Sequence, residues 1–399
     1  MKTRTDWEER NLGDIGETLI GLTYSPSQVG TNGTLVLRSS NIQNGVLDLR
    51  DTVRVTANVP AKIRVKRSDI LICVRNGSRS LIGKSLLLDQ RVEGETFGAF
   101  MAVFRSPLNE YLSFFFQSDG FKRQVDEHLG ATINQITNRS LKSFRVLIPP
   151  AADRAKVTSA LSDVSELVRQ LETVVSKKRA IKLGMMQQLL TGKTRLPGFS
   201  QEWASGPIGE LYTRQTNLVD PRKLRATVFQ HFSLPAFDGG QSPVLESGLH
   251  IDSIKFSVPP DAILISKLNP RIPRIWAPAD ISQNAIASTE FVVAVPNEEV
   301  DRSFLTYLFQ SPAIASQMKL LAVGTTGSHA RIHPNQVAKL MTRWPAPSEQ
   351  VAIGRLLADS DAEIEAIERR LARVRDVKLG MMQALLTGRT RLARSEVAA

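Results

Sequence analysis

Residues 182–196, KLGMMQQLLTGKTRL, recur at residues 378–392 as KLGMMQALLTGRTRL. Thirteen of the fifteen positions are identical at an offset of 196, with Gln188 replaced by Ala384 and Lys193 by Arg389. A match of this length within one chain marks a large internal repeat. The repeat also has a matching front end. Trp7, Leu12, Gly13, Asp14 and Ile15 return as Trp203, Ile208, Gly209, Glu210 and Leu211, again 196 residues on. Each copy opens at a tryptophan and closes at a TGxTRL box. The fold of this 399-residue chain must therefore be built twice, which fits a length prior of two to three domains.

Between tryptophan and box, each copy changes character once. The front reads as a domain mixing strands and helices. In the first copy, GTLVLRSSNIQNGVLDL alternates apolar positions around an Asn-Gly turn signal, residues 70–74 form a buried apolar run and residues 97–105 form another. FKRQVDEHL then has helical spacing. The second copy keeps this order. Residues 263–266 match 70–73, 291–295 match 100–104, LTYLFQS matches LSFFFQS, and GTTGSHARI stands where GATINQIT does. The spacing predicts two α+β domains of one fold with different surface residues.

The back of each copy predicts a long helix, beginning after Pro149-Pro150 and after Pro345-Ala346-Pro347. Asp153 and Glu349 suit the first turns. Val157, Leu161, Val164, Val168, Leu171 and Val175 step by four and three. Ile353, Leu357, Ile364, Ile367 and Leu371 follow in the same frame. That is a heptad seam, and a helix of about 40 residues would be about 60 Å long. Seams sharing one frame favour pairing of the two helices, and an antiparallel pair lets each helix leave one domain and enter the other. Gly192 and Gly388 read as C-caps. Gly184 and Gly380 lie inside the helical pattern, which suggests close packing there.

Catalytic chemistry finds no footing. GSRSLIGKS at residues 77–85 approaches a phosphate-binding loop but has five residues between its glycines where four are needed. The five histidines have no zinc-type spacing, and His329 and His333 are followed by Pro334 without further ligands. Cys73, the single cysteine, reads as a reduced core thiol. The absence of an 18-residue apolar run and the charged start MKTRTDWEER give the expectation of a cytoplasmic protein.

Nucleic-acid contact is better supplied. The chain carries a net charge of +12. Arg75, Asn76, Ser78, Arg79 and Lys84 follow a predicted strand, and Lys267, Asn269, Arg271 and Arg274 take the matching place in the second copy. Thr132, Asn134, Gln135 and Thr137 form another set, answered by Ser328, His329 and Arg331. These side chains can bond phosphates and base edges. Any one of them is as readily a solvated loop residue; their recurrence in equivalent places favours DNA contact.

The two boxes, the helices before them, the Trp-x4-[LI]-G-[DE] openings and the variable fronts resemble the specificity (S) subunits of type I restriction–modification enzymes. The resemblance covers essentially the whole chain. It implies target recognition domains at residues 1–150 and 197–347, conserved helical spacers at 151–196 and 348–399, and an antiparallel coiled coil relating the halves by a pseudo-twofold. It implies that each domain reads half of a split double-stranded DNA site, that the helices set the spacing, and that the chain is not an enzyme. Two modification subunits would dock on it and restriction subunits would join them. S-adenosylmethionine, ATP and magnesium are expected on those partners and no cofactor on this chain. The alternatives are a stand-alone nuclease or methyltransferase with an unrecognised active site, and a helical adaptor that never touches DNA.

Overall fold

The structure, a computed structural model, describes residues 6–43, 45–129, 134–324 and 330–392. It divides into two compact units, Met1–Leu171 with Arg370–Ala399, and Glu172–Arg369. Both mix helix and sheet.

In the first unit Glu17–Ile20, Met101–Arg105, Ile70–Cys73 and Ser85–Leu87 form an antiparallel sheet in that order. Side chains alternate across a strand, so the unbroken apolar run Ile70–Cys73 requires cover on both faces. Ile70, Ile72, Ala102 and Phe104 face one core with Tyr111, Leu112 and Phe121 from the helices Asn109–Phe115 and Asp119–Leu129. Leu71, Cys73, Met101 and Val103 face another core with Leu35 and Leu37 of a second sheet. Burial pushes the Cys73 thiol upward, as befits a core position.

The second unit repeats the plan. Its sheet runs Tyr212–Gln215, Phe291–Pro296, Ile263–Ser266, Ile275–Trp276. Ile263 and Ile265 turn toward the helices, and Leu264 turns toward a five-stranded sheet. The ladders correct one sequence match. Met101 lies opposite Cys73, whereas Phe291 lies opposite Ser266. Phe291 therefore corresponds to Met101, and the counterpart of Phe100 is Glu290.

The long helices are Ala151–Leu189 and Pro347–Leu385, each of 39 residues. Gly192 and Gly388 follow with φ of +69° and +66°, values that favour glycine. In the first unit Val157 and Leu161 share a core with Met382, Leu385 and Leu386. In the second, Met186, Leu189 and Leu190 share one with Ile353 and Leu357. There Lys178 pairs with Glu363, Arg179 with Glu368 and Lys182 with Asp361. Of the seam residues, Val157, Leu161, Leu171, Val175, Ile353, Leu357, Ile364 and Leu371 are buried. Val164, Val168 and Ile367 are half-buried.

One expectation about the helices is overturned. A Cβ added at Gly184 or Gly380 would meet nothing within 4 Å, so neither glycine serves close packing within its unit. The box that ends the first sequence copy belongs structurally to the second unit. Arg195 of that box donates to both oxygens of Glu349 at 2.7 and 2.6 Å and lies over the Trp203 ring, whose Nε1 donates to the same carboxylate at 3.3 Å. Glu349 and Trp203 come from the second copy. The counterpart box reaches back to the start of the chain, where Arg391 donates to Asp6 at 2.7 Å and Thr390, Arg391 and Leu392 border a small pocket with Trp7. Arg195 and Arg391 each meet the opening of the other copy.

Candidate nucleic-acid interface

In each unit the chain leaves the central strand Ile70–Cys73 or Ile263–Ser266 and immediately meets a second, distant segment. Ile136 N–H donates to the Val74 carbonyl at 2.8 Å, and Arg75 forms an isolated antiparallel bridge with Gln135. In the second unit Ile332 N–H donates to the Lys267 carbonyl at 3.0 Å, and Leu268 bridges Arg331. The structure thus brings the two candidate sets of each unit together, in equivalent places. Each second segment is anchored by a helix cap directly after it. Thr137 Oγ1 accepts from Ser140 N–H at 3.1 Å, and His333 Nδ1 accepts from Asn335 N–H at 3.2 Å.

The candidate side chains are in different states. Arg75 is exposed, and its guanidinium lies 5.2 Å from the centre of the Phe100 ring. Asn76 donates to Ser39 Oγ at 3.3 Å and accepts from Ser78 N–H at 2.9 Å, which shapes the loop. Ser78 bonds Ser80, and Arg79 reaches the Asp126 carbonyl at 3.3 Å. Lys84 is half-buried beside the strand, its carbonyl accepting from Cys73 N–H. Asn134 and Gln135 are exposed. Thr137 is occupied by its cap, so its hydroxyl is already spent on the protein.

In the second unit Lys267 is half-buried, and burial disfavours its charged form. It borders a cavity of about 270 Å³ with Arg214, Gln215, Phe291, His333 and Asn335. Asn269 has φ of +48°, a conformation few non-glycine residues adopt, and its N–H donates to the Ala330 carbonyl at 2.7 Å. Among the described residues its buried Oδ1 has no partner. Arg271 is exposed. Arg274 is held away from solvent by a two-point pair with Asp238 at 2.7 and 2.9 Å. Arg331 is exposed and paired with Glu290 at two points, both 3.1 Å. Thr132, Ser328 and His329 lie outside the described residues.

Sequence reasoning missed Arg214, which donates to Asn335 at 3.1 Å beside Lys267, and the two supports Phe100 and Glu290. Their signal was weak, since each is a lone side chain distant in sequence from the loop it serves. The residues 77–85 run through a short 3₁₀ turn into the strand Ser85–Leu87 and open no helix, so a phosphate-binding helix N-terminus is not built there. Among the described residues no group of three or more His, Cys, Asp or Glu could hold a metal ion. No described helix is long and apolar enough to cross a membrane.

Residues 4–178 match the family model for the type I restriction modification DNA specificity domain. The chain is similar to the type I restriction enzyme StySPI specificity subunit of Salmonella potsdam, with 27% identity over 288 residues, 66% of this chain and 61% of that protein. It is similar also to the type I restriction enzyme EcoKI specificity subunit of Escherichia coli (strain K12), with 28% identity over 201 residues, 47% and 43% of the respective lengths. The chain spans about half the length of the curated relatives it matches. Among solved structures, a type I restriction–modification S subunit from M. genitalium superposes with a TM-score of 0.59 at 14% identity, covering 97% of this chain and 98% of that one. At that identity the likeness is one of fold.

Proposed function

We propose that the chain is a specificity subunit of the type I restriction–modification class, which it resembles, and that it reads a split DNA site and catalyses nothing itself. One observation carries this reading. The same joined pair of segments occurs once in each unit, built on the same strand, with different polar side chains. A duplicated scaffold with diverged reading surfaces suits two unlike half-sites of one asymmetric sequence, read through phosphate and base-edge contacts.

The domain limits follow: residues 1–150 and 197–347 are the target recognition domains, and 151–196 and 348–399 are the spacers. The spacers form an antiparallel coiled coil that sets the distance between half-sites. Pairing of Lys178 with Glu363 and Lys182 with Asp361, where one number rises as the other falls, supports that direction within the second unit.

The repeated boxes supply docking surfaces for two modification subunits. Ile181 and Leu183 are exposed beside the open Gly184, and Val377 and Leu379 are exposed beside the open Gly380. Twin apolar surfaces on nearly identical sequence suit two copies of one partner. Those subunits would carry S-adenosylmethionine, flip the target adenine out of the duplex and methylate it. Restriction subunits with ATP and magnesium would complete a cytoplasmic assembly that acts against phage DNA.

The test is methyl transfer to duplex DNA by the purified full chain, with and without an added modification subunit. The expected result is transfer only with the added subunit. Methyl transfer by the chain alone would overturn the proposal.

A further inference from the structure

One backbone position stands under both candidate surfaces and carries opposite chemistry in the two units. In the first, the Phe100 carbonyl accepts from Val74 and Arg75 N–H, both at 3.1 Å. In the second, the Glu290 carbonyl accepts from Lys267 N–H at 2.9 Å. The main chain therefore fixes position 100 and position 290 alike, directly below the bridged pair. Each side chain there holds an arginine of that pair, though the arginine comes from opposite strands of the bridge. Phe100 supports Arg75, opposite Gln135. Glu290 holds Arg331, opposite Leu268.

The two supports leave their arginines in different states. A guanidinium over an aromatic ring is attracted to the ring face and gives up no N–H donor to an oxygen. Among the described residues no carboxylate pairs with Arg75. Phe100 itself is 59% exposed. Arg331, by contrast, spends Nε and Nη2 on the Glu290 carboxylate, which also cancels its charge.

We propose that positions 100 and 290 are specificity-determining: Phe100 presents Arg75 as a guanine reader, and Glu290 withholds Arg331. This rests on the DNA-reading function proposed above. An arginine with its fork free can bond O6 and N7 of guanine together, the commonest specific contact in the major groove. An arginine paired to a carboxylate through Nε and Nη2 keeps donors on its Nη1 side, but its charge is cancelled and its fork is fixed where the carboxylate holds it, so it is not free to turn to a base edge. The scaffold thereby changes the preference of a half-site by one side chain, without altering the backbone that carries the arginine.

The experiment is selection of binding sequences from a random duplex DNA pool by the full chain and its variants. The wild type should enrich a guanine at one position of one half-site. Phe100→Glu should place a carboxylate under Arg75 and reduce that preference by roughly tenfold, the size of one good two-point contact. Arg75→Ala should do the same, and the double variant should be no worse than Arg75→Ala alone. Glu290→Phe should add a guanine preference at one position of the other half-site. Both positions are partly exposed turn or loop sites, so the variants should melt near the wild type. An unchanged motif in Phe100→Glu would overturn the assignment. So would a uniform loss of affinity across all sequences in Arg75→Ala, which marks a phosphate contact. If the wild type enriches no sequence at all, the DNA-reading function itself falls, and this assignment with it.

Discussion

Glu349 is a buried carboxylate of the second unit. Only 2% of it is exposed, and Arg195 and Trp203 satisfy its two oxygens. Its counterpart closure in the first unit joins Arg391 to Asp6, with 47% and 44% of those side chains exposed. Removing one partner of a buried pair strands a charge at a cost of about 3–5 kcal/mol, whereas an exposed pair is worth about 0–1 kcal/mol. Arg195→Ala should therefore lower the thermal midpoint by many degrees and Arg391→Ala by very little. Equal losses in the two melts would mean that both boxes close their units in the same way. The sequence shows the boxes, but identical letters cannot say which tryptophan each one meets. Likewise Arg274 finds Asp238 across 36 residues, a pairing that no local pattern announces.

Among the elements, the long helices were the most legible. Their apolar frame, proline starts and glycine ends are all local signals, and the structure places the helices at Ala151–Leu189 and Pro347–Leu385. The interior glycines misled for a physical reason. A glycine that costs about 1 kcal/mol against alanine in a helix suggests a neighbour too close for a methyl group, yet Gly184 and Gly380 face open space. The strands were legible as apolar runs, but their register was not. A phenylalanine stands near the start of both runs, and matching the letters slips the two copies by one residue, which the ladder then corrects. Burial along the seam also grades the expected damage. Leu171 is buried and Ile367 is half-buried. Leu171→Asp should cost about 3–5 kcal/mol through a lost apolar contact and a buried carboxylate. Ile367→Asp should cost clearly less. Chemical denaturation of the two variants checks the order, and an undisturbed Leu171→Asp protein would show that this face of the helix is not packed.

For the whole molecule, duplication sets the organisation. Each unit repeats one scaffold, and the bridged segments differ between them: Arg75 and Gln135 over Phe100 in one, Leu268 and Arg331 over Glu290 in the other. If each unit reads its own half-site, specificity should be exchangeable by units. The most direct measurement replaces residues 212–345 with the corresponding segment of another specificity subunit and maps methylated adenines in cells that also carry the modification subunit. One half-site should change to that of the donor, while the other half-site stays as in the wild type. Simultaneous change of both half-sites, or of neither, would contradict the assignment of one unit to one half-site.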